Sequence, residues 1–363
     1  MRPFLLLTLL LIAACAGQGT APVAPTGLVH DAAYLAHDNG PEHPERPDRL
    51  RAIMAGLETS GLMASLTRIA PRPAEARWIT TVHTPDYLKT LETLSPEAPV
   101  HVDPDTVLGP GSLGIAKLAA GGVLAAVDAV AAGRVRNAFA AVRPPGHHAL
   151  PNEAMGFCIF NAVAMAARYA QLKHGLKRVL IVDWDAHHGN GTQEMFYGDP
   201  SVLFFSTHES PHYPFTGAAS ETGAGAAKGT NLNVPLARGS GNREIIAAFR
   251  TRLVPAADAF KPDIVLISAG FDAHRADPLS GLGLTAEGYA ALTRIVTDIA
   301  ARHARGRVVS MLEGGYNLEA LAASVAAHVA VLMGRDPKSL APISLPEFTA
   351  QDWRREAHPV PAF

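Results

Sequence analysis

From Leu28 onward, short apolar runs rich in β-branched residues alternate with longer Ala-rich stretches of helical composition. The runs VLIV at 179–182 and IVLIS at 264–268 are apolar without a break, which suits strands covered on both faces. Strands are expected at Asn137–Val142, Arg178–Asp185, Val202–Ser206, Asp263–Ala269 and Arg307–Leu312. Helices are expected at Ile115–Ala132, with Gly133 as terminator, at Asn161–Leu172 and at Ala286–Ala304. This alternation predicts an α/β fold: one domain whose mainly parallel sheet is sandwiched by helices. No internal repeat is visible. The stretch from His208 to Thr230 is polar and Gly-rich, and so long a loop in a compact domain is a functional candidate.

Ahead of this pattern, Arg2 precedes an apolar run from Phe4 to Ile12 that is too short to span a bilayer and has the shape of a secretory signal. It ends in Ile12-Ala13-Ala14-Cys15, which resembles the lipobox of bacterial lipoproteins. That resemblance implies a signal peptide at 1–14 and Cys15 as the lipidated first residue. It also implies an exported protein that touches the membrane through its lipid anchor alone, facing the periplasm in a Gram-negative cell. Residues 15–27 are small and rich in Pro and Gly, as a flexible tether would be. A folded domain is expected over 28–345 and a Pro-bearing tail over 346–363.

Composition narrows the partners. Hydrophobic residues make up 48% of the 363, charged residues 18%, and the formal net charge is −2. Nucleic acid is not an expected partner, because phosphate binding needs a concentrated basic face. Two cysteines cannot build a disulfide framework. Nothing in the pattern bears on oligomeric state.

The unusual polar residues follow the carboxyl ends of the expected strands: Arg143 to His148, Asp183 to His188, Ser206 to His208, Asp272 with His274, and Glu313 to Tyr316. Open parallel sheets bind ligands beyond those ends, so five segments distant in sequence are expected to converge. Asp183, Asp185 and His187 alternate along what reads as an extended segment, with Trp184 and Ala186 on the other side. With Asp272 from another strand end, two carboxylates and an imidazole make the open three-ligand set of catalytic zinc.

The segments RPPGHH (143–148), GFCIFN (156–161), DWDAHHGNGTQ (183–193), SAGFDAH (268–274) and EGGYN (313–317) resemble, in order, the signatures of the histone deacetylase superfamily. They are nearest its class II and bacterial amidohydrolase-like members, and HPERPDRL at 43–50 fits the same group. The resemblance implies zinc-dependent hydrolysis of an acyl-amide, with Asp185, His187 and Asp272 as zinc ligands. It implies His148 as general base and His147 as its electrostatic or acid partner, oriented by Asn190 and Asp183 respectively. Tyr316 becomes the donor to the developing oxyanion. A structural potassium ion is implied beside the zinc, on Asp183, Ser206 and Thr207 and on backbone oxygens of Asp185 and His187. A second cation site is expected near Phe196, Asp199 and Val202. Gly156, Phe157 and Phe215 are the implied tunnel walls, and Cys158 a buried small hydrophobe beside them.

Three rival readings remain to be weighed. A binuclear ureohydrolase needs a further carboxylate where DAHHG carries Gly189. An acetylpolyamine or small acyl-amine amidohydrolase would want an acidic rim, whereas the aligned rim residue is Leu279, which favours an acyl-lysine peptide as partner. A catalytically silent lipoprotein that binds acylated ligands would be expected to lack a zinc ligand or the tyrosine.

Overall fold

The computed structural model describes residues 24–40, 42–94 and 99–347. The segment expected to be a signal peptide, Cys15 and the residues from 348 lie outside the described residues. Eight strands form one all-parallel sheet: β1 (Thr26–Val29), β2 (Thr67–Ile69), β5 (Asn137–Ala140), β6 (Val179–Asp183), β7 (Val202–Glu209), β8 (Asn231–Leu236), β9 (Ile264–Ala269) and β10 (Val308–Leu312). Their order is β2-β1-β5-β10-β9-β6-β7-β8. A separate antiparallel hairpin pairs β3 (Val100–Asp103) with β4 (Thr106–Leu108).

Every residue of the central strands β5, β6, β9 and β10 is buried, as their unbroken apolar runs require. Helices α1 (Asp48–Thr59), α9 (Ala286–His303) and α10 (Leu318–Leu332) pack together on one side of the sheet. Helices α4 (Ser112–Ala131) and α5 (Ala162–His174) pack together on the other. Shorter helices complete the layers: α2 (Ala76–Ile79), α3 (Pro85–Thr93), α6 (Asn190–Phe196), α7 (Asn242–Ala248) and α8 (Val254–Phe260). Among the described residues α4 alone is long and apolar enough to cross a membrane; 78% of it is buried, so here it is a core helix.

Local chemistry sets the ends. Asn161 caps α5 by accepting from the Ala164 amide at 3.0 Å, and Gly175 closes it in the left-handed region. Thr285 and Asn317 cap α9 and α10 in the same way. Several boundaries differ from the sequence reading: β5 ends at Ala140 and not Val142, β7 runs on to Glu209 past Ser206, α4 starts at Ser112, and β8 is not among the expected strands. Strand β1 takes in Thr26 and Gly27, which composition alone placed in the tether. A Cβ at Gly27 would stand 2.5 Å from the Ile69 side chain, so the small residue there serves close strand packing. The segment expected to stay extended to Asp185 leaves the sheet at Asp183 and bends through 185–187.

Candidate active site

Five loops at the carboxyl edge of the sheet meet around a cavity of about 260 Å³ lined by Asp105, Pro145, His147, His148, Gly156, Phe157, His187, His212, Tyr213, Leu279, Gly314 and Tyr316. Beneath it, Asp185, His187 and Asp272 are buried, with one ligand atom of each within 4.8 Å of the others. His187 Nδ1 is 3.0 Å from Asp185 Oδ1 and 3.1 Å from Asp272 Oδ2. Backbone amides hold the carboxylates in place: Gly314 N–H donates to Asp185 Oδ2 at 2.8 Å, and Ala186 N–H to Asp272 Oδ1 at 2.8 Å.

The electrostatics of this donor set fit a cation. Burial and the nearby Asp185 carboxylate push Asp272 up to about 7. Burial works against the His187 charge, but Asp185 and Asp272 outweigh it and lift the ring well above its ordinary value. Two carboxylates and one imidazole nitrogen, buried and converging, are what a divalent metal with an open coordination position takes.

Above the triangle the two adjacent histidines lie with ring centroids 4.0 Å apart and planes tilted by 42°, yet their surroundings are opposite. His147 Nδ1 lies 3.0 Å from Asp183 Oδ2, and His148 Nδ1 lies 2.8 Å from Asn190 Oδ1. Burial would lower the His147 ring, but Asp183 and Asp185 outweigh it and raise it to about 10. Burial, joined by the rings of His147 and His187, pushes His148 well below its usual value. Gly189 makes the Asp183–His147 pair possible, since a Cβ there would stand 2.3 Å from Asp183 Oδ2. No side chain fits where a ureohydrolase would need its further carboxylate.

Tyr316 lines the cavity wall, with Arg49 stacked 4.9 Å above its ring and the Phe157 ring edge-on at 6.0 Å. Its backbone amide donates to Asp277 Oδ2 at 2.6 Å, and the Asn317 amide donates to the same oxygen at 3.2 Å. Asp183 and Ser206 are register partners on β6 and β7, with Thr207 next in the strand; Ser206 Oγ is paired with His208 Nδ1 at 2.9 Å. Phe196, Asp199 and Val202 share a tight turn in which the Asp199 carboxylate accepts from Arg168 and Ser201. Cys158 is buried, its thiol against the Gly156 carbonyl.

One expected wall residue is misplaced by the sequence reading. Phe215 is 79% exposed and does not line the cavity; Tyr213 does. The Phe215 amide donates to the His212 carbonyl at 2.7 Å, closing a turn that faces His212 and Tyr213 inward and Phe215 outward. The apolar rim was also incomplete, because Asp105 on the β3–β4 hairpin lines the same cavity as Leu279.

Sequence reasoning left four residues of the quoted motifs without a role. Glu45, Arg49 and Arg143 form a buried ion network: Glu45 takes Arg49 at 3.0 Å and Arg143 at 2.7 Å. Arg49 also donates to the carbonyls of Gly315, at 2.7 Å, and Glu313. Glu313 accepts from the amides of Gly146 at 2.7 Å and His147 at 3.2 Å, and from Ser268 Oγ at 3.0 Å. Glu313 could have been flagged as an ionisable residue before a Gly-Gly pair, whereas Glu45 and Arg49 are hidden among the other charges of HPERPDRL.

A parallel sheet carrying a metal-competent Asp-His-Asp set and two histidines at its carboxyl edge is the arrangement of a deacetylase-like hydrolase. The comparisons make the family specific. A histone deacetylase domain matches residues 43–332, and the chain belongs to that family. It is 43% identical over 296 residues to a probable deacetylase of Archaeoglobus fulgidus, covering 81% of this chain and 82% of that one. It is 41% identical over 277 residues to a histone deacetylase-like amidohydrolase of Pseudomonas aeruginosa, covering 76% and 73%. The crystal structure of the HDA15 HD domain superposes with a TM-score of 0.82 at 42% identity, covering 86% of this chain and 90% of that one.

Proposed function

We propose that the protein hydrolyses the amide of an acylated amine, an acyl-lysine in a peptide or protein, with one zinc ion held by Asp185, His187 and Asp272. The observation that supports this most is the pair of adjacent histidines with opposed environments above that metal-competent triangle. When bound, zinc supplies the positive charge that polarises an amide carbonyl and acidifies water.

The chain's own residues supply the rest. His148 is kept neutral, and its Nδ1 is engaged by Asn190, so its Nε2 is the atom free to accept the proton of the attacking water. His147 is kept positive by Asp183 and Asp185, which suits it to stabilise the negative charge that develops and to return a proton to the leaving nitrogen. Tyr316, whose hydroxyl is kept protonated by burial, donates to the carbonyl oxygen as that oxygen gains charge. The groove between Phe157 and Tyr213 suits the aliphatic stem of lysine. A potassium ion at Asp183, Ser206 and Thr207 would stiffen the ends of β6 and β7.

Hydrolysis of an acetyl-lysine peptide and of an acetylated polyamine, each with and without a zinc chelator, tests the reading. Chelator-sensitive turnover of the peptide is expected. Asp105 in the wall favours a second reading, an acetylpolyamine whose distal ammonium meets that carboxylate; preferential polyamine turnover would select it. Binding without turnover by zinc-loaded protein would instead mark a silent acyl-ligand binder. We also propose export with a lipid on Cys15, supported by the apolar run and lipobox-like tetrapeptide at 12–15. Cys15→Ala should release the protein from the membrane fraction.

A further inference from the structure

In an all-parallel sheet every strand enters at one edge and leaves at the other, so the amino edge lies opposite the cavity. Strands β5, β10, β9 and β6 are consecutive neighbours there. The segments leading into them read GRVR at 133–136, ARGR at 304–307, KPD at 261–263 and GLKR at 175–178. At about 4.8 Å between strands, their cations share a strip about 15 Å across. Arg134, Lys177, Arg178, Lys261 and Arg305 are exposed. Arg136 and Arg307 are partly buried and donate to the carbonyls of Leu332, at 2.8 Å, and Asp263, at 2.9 Å, which leaves their charge uncancelled. Asp263 is the one acid on these four segments, and among the described residues no carboxylate forms an ion pair with any of their cations. On the flanking helix ends acids and bases are mixed, as at Arg335-Asp336, and Asp128 and Asp258 are taken by Lys173 and Arg302, each at 3.0 Å. A net charge of −2 for the whole chain conceals this strip.

An apolar side chain and the incoming chain belong to the same edge. Helix α5 returns from beyond the carboxyl end of β5 to the entry of β6, so its last turn lies here; in that turn Leu172, next to Lys173, is 66% exposed. The Arg136 amide donates to the Pro25 carbonyl at 2.9 Å, which fixes the residues ahead of β1 at this edge. Cys15 precedes Pro25 by ten positions, a reach of at most about 35 Å. Cations around an exposed leucine match a bilayer interface, where phosphates face water and the acyl boundary takes the apolar side chain. Nucleic acid offers phosphates without that apolar layer. We propose that the amino edge is a docking face for an anionic membrane surface, with Leu172 in the interface and the active-site mouth turned away from the lipid. The inference deepens the lipid-anchor reading and rests on it for bringing the protein to a membrane. Where a lipid anchor alone leaves the enzyme free to tumble on its tether, this second contact fixes which way it faces, so acyl substrates arrive from solution and not from the bilayer.

The test uses the full chain carrying Cys15→Ala, so that no attached lipid contributes, and its co-sedimentation with vesicles of phosphatidylcholine alone or of phosphatidylcholine and phosphatidylglycerol in equal parts. Binding to the neutral vesicles measures what the N-terminal apolar run adds, and the excess on the anionic vesicles measures the face. At about fivefold per cation, that excess should fall by about 25-fold or more in Lys177→Glu with Arg305→Glu, and it should fall as salt rises. Leu172→Ser should lower it several-fold. The same charge change at the opposite edge, Arg243→Glu with Arg275→Glu, should leave it unchanged. Hydrogen exchange on anionic vesicles should slow at 133–136 and 175–178 and not in the 208–230 loop. Equal binding to both vesicles, an excess indifferent to the Lys177 and Arg305 changes, or protection of the 208–230 loop would overturn the proposal. Duplex DNA bound more tightly than anionic vesicles, with Leu172→Ser without effect, would overturn it in favour of a nucleic-acid face. The anchor reading is decided separately, by whether salt-washed membranes retain the wild type and lose Cys15→Ala, because the vesicle excess does not depend on that lipid.

Discussion

The protein has two buried charge clusters, and they have been resolved in opposite ways. In the first, Glu45 is fully buried between Arg49 and Arg143; burial would raise its carboxyl, but the two guanidinium groups hold it far below the usual carboxylate range. The remaining guanidinium hydrogens go to the carbonyls of Tyr34, His37, Gly315 and Glu313. Every charge there has a partner within the chain. In the second, Asp183, Asp185 and Asp272 share two imidazoles, and Asp272 is pushed up to about 7. Burial of charge is therefore not by itself a sign of function. What separates a brace from a reactive centre is whether the protein neutralises the charge itself or leaves carboxylates in excess for a cation to meet.

The sharpest way to break that contrast is to exchange the expected penalties. Asp272→Asn removes a carboxylate from the excess cluster, so zinc content measured by atomic absorption should fall and hydrolysis should drop by about 10³-fold or more. Thermal unfolding of the metal-free variant should barely change; marked destabilisation would show that the triangle is a brace after all. Glu45→Gln should do the reverse, leaving two buried guanidinium groups uncompensated at a cost of about 3–5 kcal/mol in urea unfolding.

The same residue carries a pH signature. Because the folded Glu45 carboxyl is depressed, its stabilisation is present above the unfolded carboxylate range and is lost as pH falls below it. Acid unfolding should accordingly show a component that Glu45→Gln removes.

Tyr316→Phe should lower kcat by about 10²–10³ while peptide affinity, followed by calorimetry, stays within a few-fold. Equal loss of both would make the tyrosine a wall rather than a donor. The smallest effect concerns the histidine pair. Asn190→Asp puts a carboxylate beside His148 Nδ1 and raises that ring, so the acid limb of the pH–rate profile should move upward by about one unit. An unmoved limb would mean that His148 is not the base.

Much of this was legible in the sequence. Apolar runs such as 179–182 and 264–268 pointed to buried parallel strands because they are short, rich in β-branched residues and followed by polar clusters. The polar residues just beyond them marked the carboxyl edge, since their side chains had no place in the sheet. Asp185, His187, Asp272, His147, His148 and Tyr316 all stand at those positions, and the resemblance to the deacetylase motifs supplied their expected roles. Tertiary structure alone decided which aromatic of the 212–215 turn faces the cavity, because a turn's direction depends on the hydrogen bond that closes it and not on composition. It also decided that Glu45, Arg49, Arg143 and Glu313 brace the loops from the inside, and that Asp105 and His212 enter the wall. Apart from Glu45–Arg49, one helical turn apart, those contacts join residues tens to hundreds of positions apart, and local pattern carries no record of which distant side chain will balance a buried charge.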